Sequence, residues 1–315
     1  MPTSVDDRRI MAISLGGATL LSFAPLLYIQ STTDPITGAF FRMIYALPIL
    51  ILLVWQLKRE DNRGIKSRMM AFSAGLLLAI DFIGYHSAID YIGSGIATLI
   101  GNSQVIIVTL VSWWLFDERP NRMILLALPM VMLGLAFTSG IWDDEPYGAD
   151  PIKGVIGGVV AAVFYSSFLI LYRYSNRTHA PSVSLQMDAT FGAASGLLVV
   201  GILPLTSLGI KPIVFSVFWP GHAWLVILAI SCQVIGWISI TYALPRLPAA
   251  HSSFALLLQP VLTIIWGVLL LSEKPSVQQV GGMSLIFMAI IMVTLFGRAH
   301  NSSADSTQIP SIDLN

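Results

Sequence analysis

Charged residues are scarce in this chain. Asp, Glu, Lys and Arg make up 11% of its 315 residues, against roughly 25% in typical soluble domains. Hydrophobic residues make up 55%, and the mean hydropathy is +0.77. Because a water-soluble fold could not bury so much apolar surface, the composition predicts an integral membrane protein whose first partner is the lipid bilayer.

Cysteine and the common catalytic motifs are also lacking. The single cysteine, Cys232, lies within an apolar stretch, which excludes a disulfide framework and a cysteine metal site. The sequence has no GxxxxGK[ST] phosphate loop, no HExxH and no GxSxG. We therefore expect neither ATP-driven pumping nor enzyme activity, and no cofactor or metal. No basic cluster is interleaved with aromatic residues, so nucleic acid is not an expected partner.

What the chain has instead is a series of long apolar stretches. A helix needs about 20 residues to cross the hydrocarbon, whereas barrel strands alternate over ~10 residues. The near-continuous runs therefore predict an all-α membrane protein of ten transmembrane helices, at residues 10–30, 36–57, 69–89, 92–115, 123–142, 154–173, 183–204, 222–244, 248–271 and 278–297. Only the break at Asp90–Gly93 separates the third helix from the fourth.

The sequence repeats itself at a fixed offset. Glu118-Arg119-Pro120 and Glu273-Lys274-Pro275 lie 155 residues apart, and the same offset aligns Gln104 with Gln259. Each half then holds five helices, and an odd number means that the second half enters from the opposite side. We expect two inverted repeats, at residues 10–142 and 154–297, joined by an external loop at 143–153.

Basic residues give the orientation. With the N-terminus inside, thirteen of the 17 basic residues fall on the cytoplasmic side, and only Lys153, Lys211 and Lys274 fall outside. Residues 1–9 are then a cytoplasmic N-terminus, with no signal-cleavage pattern after Arg8 and Arg9. The polar residues 298–315 are expected to be a disordered cytoplasmic tail.

Several short motifs together resemble the EamA-type branch of the drug/metabolite transporter superfamily, over about residues 10–297. They are Asp34-Pro35 through Arg42, Ala249-Ala250-His251-Ser252, Gln259-Pro260-Val261, and Glu273-Lys274-Pro275 through Gly281-Gly282. The resemblance implies a ten-helix inverted-repeat fold that moves small organic solutes, often outward, without ATP. One departure is Gln104-Val105, where the family usually has a proline in its fourth helix; here we expect a straighter helix.

Asp81 is the strongest candidate for the substrate site. An ionised carboxylate at the middle of a membrane helix costs about 2.5–3.5 kcal/mol on insertion scales, so it must face protein or a water-filled cavity. Tyr85 lies one turn further on and His86 five residues on. We interpret this group as a site for a substrate ammonium or as a proton-coupling acid; a structural hydrogen bond to a neighbouring helix is the alternative.

A second group of candidates lies in the other half. Gln233 and Trp237 are one turn apart, and Tyr165 with Ser166 lies midway along the sixth stretch. An amide with an aromatic wall fits the usual make-up of a ligand site, and helix packing is the alternative. Gln104 and Gln259 are expected at the interface between the halves, with Asn102 nearby, and His251 and Ser252 are helix-capping residues or site residues.

Four residues are candidates for gating or coupling. Arg42 lies two turns from the outer end of its helix, and its stem is long enough to reach the interface. The spacing from Pro35 to Arg42 recurs from Pro181 to Asp188. Inversion puts these two charges at opposite faces, so they cannot pair, and Asp188 is expected as a solvated acid at a cavity mouth. Pro25 and Pro260 are candidate bending points because proline removes a backbone donor.

These observations predict a secondary transporter of the inner membrane for small zwitterionic or cationic metabolites such as amino acids, and the family resemblance implies that it is an exporter. The alternative is a polytopic membrane enzyme or receptor that binds a lipid or ligand without moving it. The sequence leaves open the substrate, the coupling ion, and whether two copies form a homodimer.

Overall fold

The computed structural model describes residues 5–57, 61–116, 122–140, 142–175, 181–203, 210–216, 218–243 and 249–296. Within these ranges the chain is built from helices with short connections, and no strand is present. The predicted all-α class is confirmed for this part of the chain. Glu118-Arg119-Pro120, the 298–315 tail, and the side chains of His251 and Ser252 lie outside the described residues.

The first half contains seven helical segments. They are α1 (Val5–Ser22), α2 (Ala24–Gln30), α3 (Pro35–Leu57), α4 (Ile65–Ile92), α5 (Ser94–Asn102), α6 (Gln104–Phe116) and α7 (Arg122–Thr138).

The second half repeats this order with one irregular helix. Its segments are α8 (Pro151–Ser175), α9 (Ser182–Ile202), α10 (Trp219–Leu228), a π-helical segment (Ala229–Gly236), α11 (Trp237–Ala243), α12 (Ala249–Leu270) and α13 (Val277–Phe296).

Six of the helical stretches are long and apolar enough to cross a membrane. They are Arg8–Gln30, Pro35–Leu57, Ile65–Ile92, Pro151–Tyr172, Ser182–Ile202 and Trp219–Ala243. Four shorter apolar helices accompany them, at Ser94–Val108, Leu125–Thr138, Leu256–Leu270 and Val277–Met292. Each of the ten predicted stretches thus falls on helical backbone, although only six reach the length of a span.

Two of the breaks between helices fall where the sequence predicts them, and a third does not. The first predicted helix is interrupted at Phe23, two residues before Pro25. The third predicted helix ends at Ile92, directly before Gly93. Gly93 has φ +80°, a backbone conformation that favours glycine. A break that the sequence does not predict lies at Ser103, between α5 and α6, where the Ile106 N–H bonds to the Ser103 carbonyl instead of continuing the α-helical pattern. The expectation that this helix is straighter than in the family stays a prediction.

Proline does not interrupt the ninth predicted stretch. Pro260 lies inside α12, whose helix continues from Ala249 to Leu270. The hydroxyl of Thr263 donates to the Gln259 carbonyl at 3.0 Å and to the Ser22 carbonyl of α1 at 3.1 Å, which ties α12 to the other half.

The two halves pack together through glycines. α4 makes its most extensive contacts with α8 and α9, and α7 makes its own with α13. A Cβ on Gly84 would lie 2.8 Å from the Gly157 carbonyl oxygen, and one on Gly282 would lie 2.6 Å from that of Gly134. Such backbone-to-backbone contact is possible only where both helices present small residues.

Two glycine pairs with GxxxG spacing, Gly154 with Gly158 and Gly192 with Gly196, also serve packing. A Cβ on Gly192 would lie 2.0 Å from the Phe72 carbonyl oxygen of α4, and one on Gly154 would lie 2.4 Å from Ile92. Gly158 and Gly196 face Ile100 and Ala79 in the same way, so all four glycines face the first half.

Candidate functional site

Arg42 of α3 lies in the interior of the helix bundle. Its side chain does not extend to the membrane interface, because only 3% of its surface is exposed. The Nε atom donates a hydrogen bond to Oε1 of Gln233 at 3.1 Å, and the guanidinium lies over the ring of Phe82, 4.4 Å from its centroid. The arginine thus joins the first half to the second by its hydrogen bond to Gln233, and its cation–π contact with Phe82 joins α3 to α4 within the first half.

Gln233 comes from the π-helical segment Ala229–Gly236. A π turn carries one more residue than an α turn and is often found at functional sites. Gln233 is fully buried, and its Nε2 atom has no hydrogen-bond partner. Next to it, the Cys232 thiol donates to the Leu20 carbonyl of α1 at 3.1 Å. The irregular turn therefore holds an amide whose only bonded atom is the oxygen that accepts from Arg42.

Asp81 of α4 is the acidic member of the same cluster. It is buried, and it forms no hydrogen bond or ion pair with any described residue. It interacts electrostatically with Arg42, and Tyr85 and Tyr165 lie within range of both charges. The structure therefore places one cation and one anion near each other without direct contact.

Aromatic residues surround these charges. Tyr85 shares a hydrogen bond with Thr98 of α5 through their hydroxyls, 2.6 Å apart, which joins the two helices on either side of Gly93. In the second half, the ring of Trp237 lies edge-on to Tyr165 at 6.1 Å and to Phe168 at 6.0 Å between centroids. Six predicted site residues thus belong to one central cluster, namely Arg42, Asp81, Tyr85, Tyr165, Gln233 and Trp237.

Three other predicted substrate residues do not bond to the central charges, although the ring of His86 lies 5.8 Å from that of Phe82 and 6.0 Å from that of Tyr85 between centroids. His86 stacks on Tyr28 at 3.9 Å between ring centroids and bonds through Nδ1 to the Pro35 carbonyl at 3.1 Å. Asn102 donates to the Thr98 carbonyl of its own helix at 2.8 Å. Gln259 is half-buried, and no described residue bonds to its side chain.

Asp188 lies in a separate ion-pair cluster. Its carboxylate bonds to Nη2 of Arg63 at 2.7 Å and to Arg68 at 3.5 Å, and Arg63 also binds Asp61 at 2.8 Å. The hydrogen bond from Arg63 holds the pKa of Asp61 below its usual value. As predicted, Asp188 does not pair with Arg42. The expectation that Asp188 is a solvated acid is wrong, because its side chain is only 12% exposed and is bonded to Arg63.

The opposite ends of the same helices are joined by different residues. Lys211 binds Asp34 at 2.6 Å just before α3 begins, and this carboxylate raises the pKa of Lys211. The Val214 N–H donates to the Thr37 hydroxyl at 3.1 Å. Loops from each half therefore cover the beginning of a helix in the other half.

Glu273 makes the closest polar contact between the halves. Its carboxylate is buried and accepts hydrogen bonds from the N–H groups of Ser94, at 2.5 Å, and Gly95, at 3.1 Å. These N–H groups are at the start of α5 and have no acceptor within that helix, and the helix dipole favours a negative charge at this end. A Cβ on Gly93 would lie 2.9 Å from this carboxylate, so both the backbone angle and the space require glycine there.

A surface groove lies away from this cluster. It encloses about 580 Å³ along α3 and is lined by Ile44, Leu47, Pro48, Ile51, Leu52 and Trp55. Its apolar lining and the exposure of Ile51, Leu52 and Trp55 match a lipid-facing surface rather than a site for a polar solute.

Sequence reasoning missed several contributors to the site. Phe82, beneath Arg42, follows Asp81 directly, yet an aromatic residue in a membrane helix gives no sign of its neighbour. Phe168 lies three residues after Tyr165 on the same helix face, which is a usable signal. The contact between Glu273 and α5 joins residues about 180 positions apart and has no local signal.

Comparisons with known proteins agree on the fold. The profile of the EamA-like transporter family matches residues 10–140 and 152–295. An uncharacterized transporter of Synechocystis is 21% identical over 80% of this chain and 77% of that protein. The uncharacterized transporter YcbK of Bacillus subtilis is 22% identical, over 83% and 84%, and one of Archaeoglobus fulgidus is 24% identical, over 87% and 93%. A crystal structure that is 16% identical superposes with a TM-score of 0.61 and covers 94% of this chain and 99% of that one.

Proposed function

Because the chain belongs to the EamA-like transporter family, we propose that it is a secondary transporter that exports small organic metabolites, with amino acids as the first candidates. The observation that carries the proposal is the buried cluster of Arg42, Asp81 and Gln233 at the contact between the two repeats. Substrate sites of inverted-repeat transporters lie at that interface, near the middle of the membrane.

In this proposal Asp81 binds the cationic group of the substrate. The carboxylate has no bonded partner among the described residues, and burial would strongly disfavour an ion without one. Tyr85, Tyr165 and Trp237 supply apolar walls with polar edges, which suits a solute that carries both a charge and an apolar part. His86, Asn102 and Gln259 are assigned to the periphery of the site.

The proposal also includes the topology. We propose ten crossings of the inner membrane, formed by the six long helical stretches and the four shorter ones, with both termini cytoplasmic. The Arg63–Asp188 cluster then closes the cytoplasmic side, and Lys211–Asp34 together with Glu273 closes the external side. In alternating access, the contacts on one side of the membrane would break while those on the other side stay closed.

Transport is tested with purified protein in sealed vesicles. Metabolites that accumulate in cells lacking the chain, and in the medium of cells that overproduce it, identify the solute. Vesicles loaded with that labelled solute should release it faster than vesicles without protein. Saturable binding without any release from a sealed vesicle would identify a membrane receptor or enzyme instead.

A further inference from the structure

The pair formed by Arg42 and Gln233 presents only hydrogen-bond donors. The carboxamide oxygen of Gln233 is occupied by Nε of Arg42, so the amide has its Nε2 hydrogens left to offer. No described residue accepts a hydrogen bond from either Nη atom of Arg42. A guanidinium and an amide that are bonded to each other in the protein interior, with donors left over on both, have the chemistry of a receptor for an anion.

The geometry of the pair suits a carboxylate. An arginine whose Nε is bonded to protein still has its two Nη atoms free, and these match the two oxygens of a carboxylate. Gln233 is 0% exposed, so its Nε2 has no access to bulk water and remains unsatisfied unless a ligand or a trapped water binds it. Among the described residues no carboxylate forms an ion pair with Arg42, so the Nη atoms of Arg42 have no anionic partner within the protein.

We infer that Arg42 and Gln233 bind the carboxylate of the transported solute, with Arg42 as the charge and Gln233 as the residue that orients it. The π-helical segment places the Gln233 amide against α3 for this purpose. The inference rests on the proposed function and narrows its substrate class to organic carboxylates. It replaces the gating role that sequence reasoning favoured for Arg42.

Three compounds of equal size test the recognised group. Phenylacetate, phenylacetamide and phenethylamine share an aromatic ring, for which Tyr165, Phe168 and Trp237 provide contacts, but carry an anion, a neutral amide and a cation. Radiolabelled phenylacetate is bound to the full chain in lipid nanodiscs, and unlabelled phenylacetamide, phenethylamine and L-phenylalanine are each added as competitors. We expect saturable binding of the acid and displacement by L-phenylalanine, but none by the amide.

Four variants test the residues. Arg42→Gln and Gln233→Leu should each weaken phenylacetate binding roughly 10- to 100-fold, the loss expected for a hydrogen bond to a charged group. Gln186→Leu is the matched control, since it removes a buried glutamine that bonds to Tyr172, and should leave the affinity unchanged. Arg42→Lys keeps the positive charge but lacks the two Nη donors of the guanidinium, and it should give an intermediate affinity for phenylacetate.

The outcomes separate the inference from the proposed function. The inference is overturned if the wild type shows no saturable binding of phenylacetate or if phenylacetamide competes for the site as well as phenylacetate does. It is also overturned if Gln186→Leu loses as much affinity as Arg42→Gln. Transport of a solute without a carboxylate would also overturn it while leaving the transporter assignment intact. Carboxylate-specific binding with no release from vesicles would overturn the transporter assignment alone.

Discussion

At the scale of single residues, the charges of Arg42 and Asp81 are costly to place. Each charge at the centre of a membrane helix disfavours insertion by about 2.5–3.5 kcal/mol, and neither is neutralised by direct contact with the other. A protein that needed only stability would hold them as one hydrogen-bonded pair or replace both by apolar residues. Their separation is therefore best explained by a ligand that completes the cluster.

Asp81→Asn tests whether transport includes a proton step. Asparagine keeps the size and the hydrogen-bonding capacity of the side chain but cannot take up or release a proton. If Asp81 exchanges a proton for the substrate cation, wild-type transport should fall as the side facing the open cavity is acidified, and the variant should lose this pH dependence. Initial rates in vesicles over a pH series provide the measurement.

Asp188→Asn is the control for that experiment. This acid binds Arg63 and Arg68, outside the central cluster, so its replacement should change the rate more than the pH profile. Wild-type transport with an unchanged pH profile in Asp81→Asn would make Asp81 structural and the protein a uniporter.

At the scale of helices, adjacent glycines in α13 differ sharply in their surroundings. A Cβ on Gly282 would lie 2.6 Å from the Gly134 carbonyl oxygen and 2.8 Å from the Thr138 nitrogen of α7. One on Gly281 would have no atom within 4 Å. Because backbone atoms cannot move aside as the end of a side chain can, only Gly282 is required for α7 and α13 to pack.

Gly282→Val should therefore destabilise the protein, and Gly281→Val should not. Overpacking costs typically about 1–3 kcal/mol, so we expect a clearly lower melting temperature and less folded protein for Gly282→Val. Thermal unfolding of both variants in the same detergent measures the difference. Equal melting temperatures would contradict the packing of α7 against α13.

Sequence reasoning succeeded for helices and failed for their interruptions and partners. Ten apolar stretches and the break at Gly93 could be read from hydropathy and glycine chemistry, because both depend on local sequence. The interruption at Ser103 could not, since Gln104-Val105 lacks the proline that usually marks one. The π-helical turn at Gln233 and the bond from Arg42 depend on helix packing, which the sequence of either helix alone does not contain.

At the scale of the whole molecule, Glu273 connects the two halves near the site. Glu273→Ala would leave the N–H groups of Ser94 and Gly95 without their acceptor, which costs about 1–3 kcal/mol when such donors stay buried. We expect the external side to open more often. A cysteine at Ala97, in a Cys232→Ala background, should then react faster with a membrane-impermeant thiol reagent added outside.

Two further variants calibrate that experiment. Glu273→Gln keeps one acceptor oxygen and should give a smaller increase in labelling. Glu145→Ala removes an exposed acid from the loop between the halves and should give none. Labelling that is the same in all three variants would show that Glu273 does not hold the external side closed.

The topology is tested at one position expected on each side of the membrane. The excess of basic residues on one side predicts that a reporter fused after Asn315 is active only in the cytoplasm. Lys211→Cys, in the same Cys232→Ala background, should be labelled from outside intact cells. Labelling of the C-terminal tail from outside would reverse the predicted orientation.

The glycine contacts between the halves have a mechanical consequence. Helices that cross on glycines touch through smooth backbone, whereas larger side chains form ridges that must climb out of grooves when the helices rotate. Gly84 with Gly157, Gly192 with Phe72 and Gly134 with Gly282 are three such crossings, each between one half and the other. If the proposed alternating access moves one half against the other, these crossings would let the halves tilt while few interlocked side-chain atoms have to separate.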